Sequence, residues 1–157
     1  MTGDVDFVWE TMKKLDYCMF VTMPGGRARA RPMSSIVERE SDAVYFLTDA
    51  GTAKDDEIEA NPNVLLAYSN GASQFVSTAG SARLSTDRAL IRRLWNPGAQ
   101  AFWPDGPDNP DIVAIVVTPT QAEFWNGPSF IVGGAKMLFA ALTGGKPDLG
   151  ENRKVAL

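Results

Sequence analysis

Asn70-Gly71, followed by Ala72-Ser73, stands between two runs of strand-forming residues, Val64 to Ser69 and Phe75 to Leu84. Few short signals constrain a fold more, because a tight turn of this kind commits the flanking runs to pair antiparallel. A second hairpin is predicted from residues 17 to 23 and 27 to 37 around Pro24-Gly25-Gly26. Pro32 falls inside its second arm, where the lost N–H marks an edge, a bulge or a departure of the backbone from its neighbour. Ala43 to Thr48 alternates, with Val44, Phe46 and Thr48 on one face and Tyr45 and Leu47 on the other. Ile112 to Val117 is unbroken apolar and predicts a fully buried strand, with Gln121 to Trp125 as a last strand after Thr118-Pro119-Thr120.

Helical spacing is confined to short stretches between these runs. Asp4 or Asp6 can cap a helix to about Leu15 that places Val8, Met12 and Leu15 on one face. Thr52 caps a weaker helix to Ala60, with Asp55, Asp56 and Glu57 in its first turn and Ile58 as its large anchor. Thr86 to Trp95 places Leu90, Ile91 and Leu94 toward a sheet. Residues 96 to 110 read as a surface loop with a short turn around Gln100 to Trp103. About six strands against three or four helices predict a β-rich α+β domain over residues 1–142, with 143–157 as a flexible C-terminal tail.

At 157 residues the chain fits one domain. A chain of that size buries roughly 70% of its unfolded surface without disulfides or metal. No apolar run approaches a membrane span, and the first residues lack the hydrophobic segment of a signal peptide, so cytoplasmic residence is the expectation. The net charge of −4 argues against a nucleic-acid surface, which needs a broad basic field. Cys18, alone in an apolar run, is expected to be buried and inert. The chain has no histidine, which excludes His-dependent triads, histidine-ligated zinc and proximal-His haem, and no metal is expected. Any chemistry then falls to carboxylates, Lys, Tyr or an organic cofactor.

Two sequence elements suit a phosphorylated ligand. Arg27, Arg29 and Arg31 share one strand face at a spacing of roughly 6.6 Å per pair, the look also of a solvated edge that resists aggregation. Arg31 is favoured because it abuts Pro32-Met33-Ser34. Leu47-Thr48-Asp49 ends the next strand, and Thr52 and Lys54 stand at the following helix start, where free amides point outward.

In order along residues 5 to 130, Arg31-Pro32-Met33, Phe46-Leu47-Thr48-Asp49, Thr52-x-Lys54, Glu57-Ile58 with Asn61-Pro62-Asn63-Val64, Gly80, and Glu123-Phe124-Trp125-Asn126-Gly127 form a set. This set resembles the flavin-binding split β-barrels related to pyridoxamine 5′-phosphate oxidase. The loop Ala101-Phe102-Trp103-Pro104-Asp105-Gly106 with Asp108-Asn109-Pro110-Asp111 resembles their branch similar to general stress protein 26.

The resemblance implies a six-stranded antiparallel split β-barrel with flanking helices. It further implies a homodimer with FMN at the interface and a flavin-dependent oxidoreductase acting on a small substrate, with NAD(P)H a candidate donor. The implied cofactor-binding residues are Arg31, Pro32, Met33, Ser34, Leu47, Thr48, Asp49, Thr52, Lys54, Phe75 and Trp125, with Trp125 approaching the flavin held mainly by the other subunit. A non-catalytic flavin-binding or buffering protein and a binder of a deazaflavin are the alternatives. Where the oxidase has an Arg-x-His pair for its phosphorylated substrate, this chain runs Pro128-Ser129-Phe130-Ile131-Val132-Gly133, and Ala53 stands where the family has a second phosphate-binding Arg. Pyridoxal phosphate synthesis is therefore not expected.

Overall fold

The computed structural model describes residues 3–128 and 130–157; Ser129 and the side chains of Ala53, Phe130 and Ile131 lie outside what is described. Helix α1, Asp4–Leu15, buries Val8, Trp9 and Met12. Its N-cap is Gly3 rather than an aspartate. Asp6 instead reaches back, its Oδ2 accepting from the Gly3 amide at 3.3 Å, which satisfies one of the free donors at the helix start. Strands β1, Tyr17–Thr22, and β2, Arg29–Ser34, form the expected first hairpin.

The arm predicted to run to residue 37 breaks at Ser35. Beyond it β3, Ile36–Glu38, pairs with β4, Ala43–Asp49. Then follow α2, Ala53–Ala60, β5, Asn63–Ser69, and β6, Gln74–Ser85, with the Asn70-Gly71 turn where the sequence put it. The Asn70 side chain holds that turn, its Oδ1 accepting from the amides of Ala72, Ser73 and Gln74 at 2.9–3.0 Å.

Two short helices, α3, Arg88–Leu94, and α4, Pro97–Phe102, precede the long strand β7, Ile112–Asn126. The sequence divides β7 into two strands at Thr118-Pro119-Thr120; the structure absorbs that break as a bulge. Ala79 pairs with Gln121 and Gly80 with Pro119, leaving Thr120 as the extra residue. Gly80 is needed there: a Cβ would lie 2.6 Å from the Thr118 carbonyl oxygen and 3.0 Å from Val117 Cγ1.

All pairings are antiparallel, in the order β2-β1-β5-β6-β7-β4-β3. The two ends of that order, β2 and β3, are separated in the chain by Ser35 alone, so the sheet must curl until its edges meet at one corner. This is the split-barrel architecture, built from more strands than the six expected. The concave side encloses Phe20, Phe46, Leu66, Val76 and Val117 with α1 laid across it. Phe20 and Phe46 meet edge to face, ring centroids 5.0 Å apart. On the outer side, Ile91 and Leu94 of α3 cover Tyr45, Ile112, Ala114 and Val116. The alternation read for β4 is thus realised, with Val44, Phe46 and Thr48 inward and Tyr45 outward.

The C-terminal segment departs from expectation. At the end of the expected domain, residues 130–143 form a helix, α5, Phe130–Thr143; within the expected flexible tail, 143–157, residues 151–156 form a strand, β8, Glu151–Ala156. β8 pairs with the second half of β7, from Gln121↔Ala156 to Asn126↔Glu151. The low apolar content of residues 143–157 suggests fraying, but backbone pairing of β8 to a free strand edge holds its end, with Val155 and Leu157 packed against the core. No described helix is long and apolar enough to cross a membrane.

Candidate functional site

A cavity of about 410 Å3 opens where β2, the end of β4, the start of α2 and the α4 segment converge. β2 presents Arg31, Pro32, Met33 and Ser34 to it; β4 presents Leu47, Thr48 and Asp49; α2 presents Lys54. Eight of the eleven residues expected to hold a cofactor are therefore gathered at one cavity. Arg31 of β2 and Lys54 of α2 are thus wall residues of one cavity.

Thr52 is not among the cavity's described walls. Its hydroxyl donates to Asp55 Oδ1 at 3.3 Å, and the Asp55 carboxylate also accepts from the Gly51 amide at 2.7 Å, so the turn is fastened internally. Phe75 and Trp125 lie elsewhere again. They are directly opposed across the β6–β7 ladder and line a separate cavity of about 710 Å3 with Met137 of α5 and Leu149. Within one chain, the structure does not bring these two aromatics to Arg31 and Lys54.

Seven wall residues were not assigned to a ligand site from sequence, and three of them are aromatic. Tyr17, from the start of β1, and Phe102 and Trp103, from the end of α4, form an aromatic side of the cavity. Trp103 is fixed: its indole N–H donates to Asp49 Oδ1 at 2.7 Å and its ring lies 6.2 Å from that of Trp95. Asp49 is thereby committed to anchoring this loop. Phe102 is 80% exposed at the rim. The available signal was the Phe102-Trp103-Pro104 cluster in a stretch that the sequence reads as a surface loop.

The arginines are not free cations. Arg31, 18% exposed, donates from Nη2 to Glu57 Oε2 at 2.6 Å and from Nη1 to the Thr22 hydroxyl oxygen at 2.9 Å. Arg29 donates from Nη1 to Glu57 Oε1 at 2.7 Å, and the Thr22 hydroxyl donates to Glu57 Oε2. Burial pushes the Glu57 carboxyl up, but the bonds from Thr22 and Arg31, the charge of Arg31 and the bond from Arg29 outweigh it and hold Glu57 below the usual glutamate value. Glu57 is thus an ionised, buried carboxylate that ties α2 to β2. In the sequence it reads as a dipole-compensating helix residue, since the rotation of α2 about its axis is a tertiary matter.

Cys18 behaves as expected of an inert thiol: it is buried and its pKa is raised to about 12, chiefly by desolvation.

The family described as "Pyridoxamine 5'-phosphate oxidase like" matches residues 3–148, nearly the whole chain. The chain belongs to the pyridoxamine 5′-phosphate oxidase-like family. Among members of this family, it is similar to general stress protein 26 of Bacillus subtilis strain 168, with 29% identity over 109 residues, covering 67% of this chain and 76% of that protein. It is 26% identical to protein bli-3 of Neurospora crassa over 113 residues, and the aligned part spans 54% of that longer protein. Among solved structures, a candidate general stress protein 26 from Jannaschia sp. CCS1 superposes with a TM-score of 0.76 at 25% identity, covering 99% of this chain and all of that one. The general stress FMN/FAD binding protein of Xanthomonas citri superposes with a TM-score of 0.68 at 29% identity, covering 77% of this chain and 87% of that one. The Jannaschia superposition takes in almost the full length of this chain.

Proposed function

We propose that this chain binds FMN in the cavity between β2, β4, α2 and α4, and that it acts as a cytoplasmic, homodimeric flavin-dependent oxidoreductase on a small substrate. The observation that carries this reading is the convergence of Arg31, Thr48 and Lys54 with the aromatic side made by Tyr17, Phe102 and Trp103 around one cavity. A phosphorylated flat ring needs both features: charge-assisted donors at one end and a planar apolar surface along its body. The Xanthomonas citri relative, described as binding FMN or FAD, supports the same ligand class.

In this reading Lys54 and the outward hydrogens of Arg31 hold the phosphate, and Thr48 adds a hydroxyl. The β2 backbone from Pro32 to Ser34 edges the ring, a course open to a ligand because Pro32 has no amide to donate. Trp103, locked by Asp49, closes the site against water. Bound flavin supplies hydride and single-electron transfer. Phe75 and Trp125, 41% and 37% exposed, are large aromatics at a surface, and a second copy of the chain would bring its own pair to this cavity.

A second reading, binding without turnover, is favoured by the state of the ionisable groups. Asp49 is engaged by Trp103, Cys18 is buried, and there is no histidine, so proton transfer has few candidates besides Tyr17 and Lys54. A visible spectrum of the purified protein with an FMN titration tests the first step. A colourless protein whose melting temperature does not move with added FMN refutes flavin binding. Bleaching of bound flavin by NADH or NADPH separates an oxidoreductase from a carrier, the absorption maximum separates a flavin from a deazaflavin, and sedimentation tests the dimer.

A further inference from the structure

The cavity is less positive than its two cations suggest. Both terminal nitrogens of Arg31 already have partners within the protein, Glu57 at 2.6 Å and Thr22 at 2.9 Å. Lys54 makes no ion pair among the described residues, but Asp49 stands on the same cavity wall. Two cations thus face two carboxylates, one of them buried directly behind the guanidinium. Arg29 completes the balance from outside: it bonds the other oxygen of Glu57, is 58% exposed, and is not part of the cavity wall.

We infer that Glu57 is a specificity-determining residue of the site: by drawing on the charge of Arg31 it limits the grip on a phosphate, leaving the ring to supply most of the affinity for a phosphorylated flavin. This rests on the flavin reading of the cavity and adds to it a statement about which part of the ligand is recognised. A carboxylate in contact with a guanidinium opposes an anion approaching the same group, and partial burial keeps solvent from screening that opposition. Arg29 acts one step further out. By compensating Glu57 it returns part of the charge of Arg31 to the cavity.

Glu57 also lies three residues after Lys54 on α2, so the bonds that hold Glu57 fix the helix carrying the second cation. A purely structural role would make every change at this cluster weaken all ligands together. A charge-setting role makes two changes act in opposite directions on phosphate alone.

The test measures dissociation constants of FMN and riboflavin, at one ionic strength, for the full chain, Glu57→Gln and Arg29→Gln. Gln keeps an oxygen for Arg31 and removes the charge. For Glu57→Gln the preference for FMN over riboflavin is expected to rise on the order of tenfold, with riboflavin binding nearly unchanged. For Arg29→Gln, which leaves Glu57 less compensated, the preference is expected to fall several-fold. A preference that is unchanged or lower in Glu57→Gln overturns the inference. If Glu57→Gln does not fold, Arg29→Gln decides alone, and an unchanged or higher preference overturns it. If the unaltered chain binds neither flavin, the reading of the cavity fails and this inference goes with it; if it binds both and the variants do not part, only the inference fails.

Discussion

Replacing Gly80 by alanine adds one methyl group at the place where β6 meets the bulge of β7. That methyl would sit 2.6 Å from the Thr118 carbonyl oxygen, 3.0 Å from Val117 Cγ1 and 3.2 Å from Pro119 Cα. The nearest obstacle is backbone, so no side-chain rotation relieves it, and the strand pair must separate by several tenths of an ångström. Overpacking of this kind costs about 1–3 kcal/mol, and the absence of a flexible neighbour puts this site near the upper end. At roughly 2–4 °C per kcal/mol for a domain of this size, the expected fall in melting temperature is about 5–10 °C.

The assay is thermal and guanidinium unfolding of the parent and Gly80→Ala, with Gly134→Ala as a control. Gly134 lies in α5 with nothing within 4 Å of an added Cβ, so alanine there is expected to stabilise by about 0.5–1 kcal/mol through helix propensity. Because the bulge lies between the half of β7 that pairs with β4 and the half that carries Trp125, the Gly80 variant is also expected to disturb Trp125 fluorescence before the main transition. A Gly80→Ala protein as stable as its parent would refute the account of Gly80 as a steric requirement of the bulge.

Three further outcomes follow from buried groups. The folded state holds Glu57 below its ordinary value of 4.5, so its contribution to stability is present above that pH and is lost as the pH falls through the lower folded-state value; the stability gap between parent and Glu57→Gln is expected to shrink below pH 4.5 in pH-dependent melts. Cys18, raised to about 12 by burial, is expected to resist a thiol reagent at pH 8 in the native protein and to react promptly in guanidinium, and fast native labelling would contradict that placement. The buried Tyr68 hydroxyl lies beside Ser35 and Cys18, close enough to interact with both but with neither in good hydrogen-bond geometry, so Tyr68→Phe is expected to leave stability unchanged or raise it by up to about 1 kcal/mol in guanidinium unfolding, where a clear loss would reveal a bond to that hydroxyl.

Much of this architecture is legible in the chain because local chemistry and tertiary packing agree. The Asn70 turn, the alternation of β4 and the apolar face of α3 each specify their element and its buried side. Legibility failed where the deciding interaction was remote. Pro119 looked like a strand end because a missing amide breaks a ladder, but the opposing Gly80 lets the strand pass it with one extra residue. Ser35 divides a predicted arm because its two sides pair with opposite ends of the sheet. Glu151 to Ala156 carries little apolar material, so nothing local marks it as β8; a vacant edge of β7 creates it. For the site, eight of the residues named from the motifs of β2, β4 and α2 line one cavity, whereas the commitment of Arg31 to Glu57 depends on how α2 is turned, and the distance of Phe75 and Trp125 from the cavity depends on the whole course of β6 and β7.

The final strand also acts as a border. β7 is flanked by β4 along Ile112–Val117 only, and from Gln121 to Asn126 its outer amides and carbonyls meet β8. Glu151, Arg153 and Lys154 crowd that outermost strand with charge, which discourages any further strand from joining. A chain clipped before Gly150 would leave six residues of bare ladder at the rim, open to recruitment of a neighbouring molecule, so proteolysis at this one point would turn a self-limited sheet into a seed for association.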